Sequence, residues 1–141
     1  YIFLDLIAAS APIGIFLGRI SNFINSELYG KKTDALWSVV FTRIDNISRH
    51  PSQIYEAVLE GLVLFFLMYL FIKKNYLNKP GLISSLFLIF YSTFRFFIEF
   101  YRVPDEQLGF IFLNLTMGQI ISLVFLCLGF YIFSKKKNEN K

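Results

Sequence analysis

The sequence predicts an all-α polytopic membrane protein with about four transmembrane helices. Three observations carry this. The 141 residues are 55% hydrophobic and 19% aromatic, with 18 Phe, and the mean hydropathy is +0.54. A soluble domain of this size cannot hide so much apolar surface. The apolar residues gather into four runs near the roughly 20 residues that a spanning helix needs. The lysines gather in short polar segments between and after those runs.

The first span is expected over about Tyr1 to Phe23, with Pro12 and Gly14 as places for a kink. The second runs from about Ile54 to Ile72, the third from about Leu82 to Tyr101, and the fourth from about Phe110 to Phe133. Length points to a single transmembrane domain over residues 1–141. Residue 1 is Tyr and the chain opens inside an apolar run, so it is expected to be part of a longer protein; no signal peptide is visible.

Orientation follows from the basic residues of short loops. Lys73–Lys79 carries three lysines and Ser134–Lys141 carries four. Two crossings separate these segments, so both fall on one side and are read as cytoplasmic. The roughly 30-residue segment from Ile24 to Gln53 then faces outward, as does the short loop Arg102–Gly109. The longer segment is nearly balanced in charge: Lys31, Lys32, Arg43 and Arg49 against Glu27, Asp34 and Asp45. It is long for a connector, and is expected to fold over the outer helix ends near Arg19. Within it, Trp37–Phe41 suits a short strand or an interfacial segment, and Tyr29-Gly30 suits a turn.

The net charge of +4 does not point to nucleic acid, because the basic residues are scattered over loops and tail rather than gathered on one face. Cys127, the single cysteine, lies in an apolar run and is expected to face lipid or pack. One histidine and one such cysteine make a metal site unexpected.

Candidate chemistry concentrates where apolar runs meet polar loops. Gly18–Gly30 holds Arg19, Asn22, Asn25 and Glu27. An arginine at the edge of hydrocarbon costs about 2.5–3.5 kcal/mol on insertion scales. Either it snorkels to the interface or an anion such as a lipid phosphate offsets it. Arg19 and Asn22 are three apart and share a helix face. In the third span Arg95 and Glu99 are four apart. Their attraction of about 0.2–0.5 kcal/mol is too small to explain both in hydrocarbon, so both are site candidates. Arg19, Arg95, Glu27 and Glu99 are expected to meet in one outward-opening pocket, with Arg102 snorkelling nearer the surface. In the second span Glu56 complements the helix dipole. Glu60, one turn deeper, has no partner that the sequence identifies. His50 is a candidate for proton transfer, or for a cap or hydrogen bond at the helix entry.

Gly18-Arg19-x-x-Asn22-Phe23-x-Asn25-x-Glu27-x-x-Gly30 resembles the signature of the prolipoprotein diacylglyceryl transferases of the bacterial inner membrane. The resemblance continues through Arg49–Ala57, Phe94–Phe100, Arg102–Asp105 and Leu115–Gln119, in order, over nearly all of the chain. Two positions depart from the family pattern. Ser21 stands where Gly or Ala is usual, and is small enough to keep close packing; Ser26 stands where Gly is frequent.

The resemblance implies a transferase that moves diacylglyceryl from phosphatidylglycerol to the lipobox cysteine of a preprolipoprotein, the first step of lipoprotein maturation. It implies Arg19, Arg95 and Glu99 as catalytic residues and Arg19, Asn22, Glu27 and Arg95 as phosphatidylglycerol-binding. The partners implied are phosphatidylglycerol, the signal peptide of the preprolipoprotein and membrane lipid; neither metal nor organic cofactor is implied. The location implied is the inner membrane, multi-pass, with a cytoplasmic C-terminus. The matched stretch is roughly the C-terminal half of the family's chain. The family's N-terminal helices and their His-Gly-Gly segment are outside it, so this stretch alone is expected to be inactive. The alternative is a transporter or channel subunit with an intramembrane path through Arg95, Glu99 and Glu60.

Overall fold

The computed structural model describes residues 1–104, 110–112 and 115–139. Among these, four helices are long and apolar enough to cross a membrane: α1 (Ile2–Ile24), α2 (Ser52–Lys73), α3 (Leu82–Tyr101) and α4 (Met117–Glu139). Two small antiparallel ladders accompany them, β1 (Val39–Val40) with β2 (Ser48–Arg49) and β3 (Phe110–Phe112) with β4 (Leu115–Thr116). The first three spans match the expected ones. The fourth is corrected. Residues 110–112 and 115–116 form the β3–β4 ladder, and the helix starts at Met117 and continues past Lys135–Lys137. Its start is set by a capping box: the Gln119 N–H donates to Thr116 Oγ1 (3.3 Å) and the Thr116 N–H to Gln119 Oε1 (3.0 Å). Residues 105–109 of the expected short outward loop lie outside the described residues.

Each helix has its own local logic. α1 runs unbroken through the buried Pro12. α2 begins after Pro51, and its middle, Ala57–Val63, is a π-helical segment. Gly61 sits there because a Cβ would lie 2.7 Å from the Phe16 Cβ of α1. α3 closes with a 3-10 turn, Glu99–Tyr101. At its start, the α3 backbone donors are satisfied by Asp5 of α1. Asp5 Oδ2 accepts the Gly81 N–H and Oδ1 the Ser84 N–H, both at 2.7 Å, and the carboxylate is wholly buried. A side chain on one helix thus caps another.

The apolar core of Ala8, Leu64, Met68, Ile83 and Leu86 lies in the half of the bundle nearer the lysines, ringed by aromatics such as Phe71, Phe90 and Phe94. The outer faces carry large apolar side chains in the open, among them Phe3, Leu17, Phe66, Val124 and Tyr131, as suits helices surrounded by acyl chains. Cys127 is exposed among them.

The long loop folds over the helix ends near Arg19, as expected. Phe41 is buried, with its ring 5.7 Å from Phe23 and 6.2 Å from Tyr29. Gln53 Nε2 donates to the Glu27 carbonyl (2.6 Å), and the Lys31 N–H to the Tyr101 carbonyl (2.8 Å). Arg49 is buried by stacking over Tyr29 at 4.7 Å and by pairing with Asp45 at 2.6 Å. That guanidinium holds the Asp45 carboxyl below its usual range, and Asp45 in turn raises Arg49. Trp37–Phe41 contributes the strand Val39–Val40. Tyr29-Gly30 is not a turn. The chain reverses at Asn25-Ser26 instead, and Gly30 pairs with Arg102 across an isolated bridge. Ser21 is exposed, so its small size does not serve packing among the described helices.

Candidate active site

Among the described residues, six charged side chains converge at the loop end of the bundle. Arg19 comes from the last turns of α1, Glu56 and Glu60 from the start of α2, Arg95 and Glu99 from the end of α3, and Arg102 from the residue that follows it. Arg19 Nε lies 2.6 Å from Glu56 Oε2, and Arg95 Nη1 lies 3.5 Å from that same oxygen. Glu60 sits between the two arginines, with Oε2 3.6 Å from Arg19 Nη2 and Oε1 3.9 Å from Arg95 Nη1. Arg95 Nη2 pairs with Glu99 Oε2 at 2.8 Å. Arg102 closes the cluster, with Nε 3.5 Å from Glu56 Oε1 and Nη1 3.9 Å from Glu99 Oε2.

Burial of so many charges costs several kcal/mol per ion, and close pairing offsets it. The side chains of Glu56 and Glu60 are 0% exposed, while Arg19 and Arg95 keep 18% and 14%. The carboxylates are the floor and the guanidinium groups the rim. A cavity of about 220 Å³ lined by Ile15, Gly18, Arg19 and Asn22 opens on the rim.

Glu99 is held from a fourth direction. Thr116, the cap residue of α4, donates its hydroxyl to Glu99 Oε1 at 3.1 Å. Gly118 has no side chain where a Cβ would come within 2.8 Å of the Glu99 carboxyl carbon. The carboxylate therefore packs directly on the α4 N-terminus, where the helix dipole favours it. The signal for this was the Thr-x-x-Gln spacing of Thr116 and Gln119, a capping pattern that sequence reasoning passed over.

Of the expected site residues, Arg19, Arg95 and Glu99 come together, and Asn22 lines the adjoining cavity with Arg19. The side chain of Glu27 does not join them. It is exposed, and its backbone carbonyl is what the fold uses. Glu56 and Glu60 stand in the place expected for Glu27. Glu56 is an ion-pair partner of three arginines rather than a dipole complement alone, and Glu60 has the partners that the sequence did not identify. Arg102 does not snorkel. It is buried and paired, and its backbone bridges to Gly30. Arg19 is likewise offset by carboxylates of the protein itself.

His50 lies beside the cluster. Its Nδ1 shares a hydrogen bond of 3.1 Å with Tyr55 Oη, which also accepts from Trp37 Nε1 at 2.7 Å. These residues line a cavity of about 340 Å³ together with Leu59, Phe97 and Tyr101. A continuous polar path across the bundle is not favoured. The apolar core of Leu64, Met68, Ile83 and Leu86 stands between this cluster and Asp5 at the other end.

A family model described as prolipoprotein diacylglyceryl transferase matches residues 1–135. Among similar proteins is one from Rickettsia bellii (strain OSU 85-389), named phosphatidylglycerol--prolipoprotein diacylglyceryl transferase. It is 56% identical over 132 residues, which are 93% of this chain and 50% of that protein. A protein of the same name from Rickettsia akari (strain Hartford) is 57% identical over 129 residues, 91% of this chain and 50% of its own. Another from Rickettsia typhi (strain ATCC VR-144 / Wilmington) is 52% identical over 136 residues, 96% of this chain and 52% of its own. The chain spans about half the length of the curated relatives it matches. With the family model covering nearly every residue and relatives more than half identical over that span, the chain belongs to the prolipoprotein diacylglyceryl transferase family.

Proposed function

We propose that this protein transfers the diacylglyceryl group of phosphatidylglycerol to the lipobox cysteine thiol of a preprolipoprotein, in the bacterial inner membrane and with its C-terminus in the cytoplasm. The observation that carries the reading is the meeting of Arg19 and Arg95, from two helices, on one oxygen of Glu56. Their guanidinium groups are already gathered where an anion is wanted, and each offers a planar fork of donors to phosphate.

In this reading the headgroup phosphate enters over Gly18 and Asn22 and competes with Glu56 for the two arginines. The thiol sulfur forms a bond to the glycerol carbon as that carbon's bond to the phosphate-ester oxygen breaks. The electron pair stays on the oxygen, and glycerol phosphate leaves. Donors fixed in a water-poor site stabilise charge growing on the leaving group. The thiol must lose its proton, since thiolate is the nucleophile. Glu99, anchored by Arg95 and Thr116, is the proposed acceptor. Glu27, exposed in the loop, is proposed to meet the polar part of the headgroup rather than its phosphate.

The test uses the full-length protein in cells depleted of their own transferase. The wild-type gene restores lipoprotein lipidation; Arg19→Ala and Arg95→Ala, at unchanged membrane abundance, abolish it. Wild-type turnover by either variant overturns the assignment.

A further inference from the structure

The cluster contains three guanidinium groups (Arg19, Arg95, Arg102) and three carboxylates (Glu56, Glu60, Glu99). Arginine keeps its charge at any pH the protein meets. With all three carboxylates ionised, the cluster is therefore neutral among the described residues before any ligand arrives. A phosphodiester headgroup brings one negative charge, and an unbalanced charge in a buried site is expensive. Neither Glu56 nor Glu60 can carry its charge to water, because both are 0% exposed on the floor of the site. A proton is the means of balance that these carboxylates can themselves take up.

We propose that the site takes up one proton with each anionic phosphodiester headgroup, and that Glu60 receives it. The proposal rests on the function inferred above and adds a coupling to it. Glu60 is singled out by its contacts. Glu56 is held at 2.6 Å by Arg19, and Glu99 by Arg95 at 2.8 Å and Thr116 at 3.1 Å. The nearest guanidinium nitrogens to Glu60 stand farther off, at 3.6 and 3.9 Å, and no hydroxyl reaches it as Thr116 reaches Glu99. Neutralising Glu60 therefore breaks the fewest contacts. Arg95 Nη1, the nitrogen nearest Glu60 Oε1, is itself a buried donor without a hydrogen bond. It gives up only the ion pairs with Glu56 at 3.5 Å and Glu60 at 3.9 Å when it turns to the incoming phosphate.

The groups facing Glu60 are Arg19 from α1, Glu56 from its own helix, and Arg95 from α3. Tyr91 and Arg102 lie within electrostatic reach of it. His50, the group whose ordinary titration range lies nearest neutrality, faces Tyr55 and Tyr101 instead.

The experiment titrates the full-length protein, in phosphatidylcholine nanodiscs, with dihexanoyl phosphatidylglycerol. Calorimetry in buffers of different ionisation heat counts the protons. Uptake of close to one proton is expected, with affinity weakening about tenfold per pH unit over the window of uptake. Deacylated headgroup, glycerophosphoglycerol, in a second arm separates a lipid site from a site for free phosphodiester. Uptake with both shows that the headgroup alone suffices; uptake with the lipid alone shows that the acyl chains are needed to seat it. Glu60→Gln, a neutral mimic, is expected to bind with no uptake and a flat pH profile, and His50→Gln to keep the uptake. Binding without uptake by the wild type overturns this inference and leaves the proposed function standing. Uptake that survives in Glu60→Gln overturns the assignment to Glu60. If that variant does not fold, the wild-type proton count still decides the coupling. No binding at any pH overturns both readings.

Discussion

At the scale of single residues, Glu56 is the common partner of the site. It touches Arg19 from α1, Arg95 from α3 and Arg102 just after α3. Glu56→Ala removes the one carboxylate shared by three guanidinium groups, leaving Arg19 only Glu60 at 3.6 Å, and breaking a buried pair in this way costs about 3–5 kcal/mol. A lower melting temperature of the full-length protein in detergent checks this; an unchanged one refutes it. Ser26 illustrates the opposite sign. It adopts φ +59°, a left-handed backbone that a side chain disfavours by about 1–2 kcal/mol. Ser26→Gly is expected to stabilise the protein by about 1 kcal/mol in the same melting experiment.

At the scale of elements, two side-chain caps decide where helices begin. The Thr116–Gln119 box starts α4 and delivers the Thr116 hydroxyl to Glu99. Asp5 caps α3 from the far side of the bundle, so the depth of α3, and with it Arg95, is referenced to α1, which carries Arg19. Asp5→Ala leaves the N–H groups of Gly81 and Ser84 without their acceptor, at about 1–3 kcal/mol for an unsatisfied buried group. Hydrogen exchange is expected to rise first in residues 81–85 and only later at the Arg95 end. Uniform exchange along α3 would show that Asp5 is not the reference point.

At the scale of the whole molecule, the bundle is divided. The apolar core lies toward the lysines and the charged cluster toward the loop, which is sewn to the ends of α2 and α3 through Gln53, Lys31 and Gly30. That lid is itself held by Asp45 and Arg49. The Asp45 carboxyl lies below its ordinary value of 3.8 because of Arg49. A depressed carboxyl contributes stability above its unfolded value, and that stability is lost as pH falls through the folded one. Protection of residues 45–49, relative to the intrinsic exchange rate at each pH, is therefore expected to hold above pH 3.8 and to fall below it. Asp45→Asn is expected to exchange fast at neutral pH and to lose the transition.

Hydropathy and lysine placement determined the four spans and their up-and-down order, because each depends only on the local chain and its solvent. The identity of Arg19, Arg95 and Glu99 as unusual residues was legible for the same reason: a charge in an apolar run stands out wherever it falls. What only the tertiary structure decided is which opposite charge answers each one. Glu56 and Glu60 read as helix-dipole and orphan residues until α2 is packed between α1 and α3. Asp5 likewise serves a helix other than its own, and Thr116 holds Glu99 of α3 besides capping α4. Ion pairing and capping act through space over a few ångströms, so their partners are set by the packing of helices and not by distance along the chain.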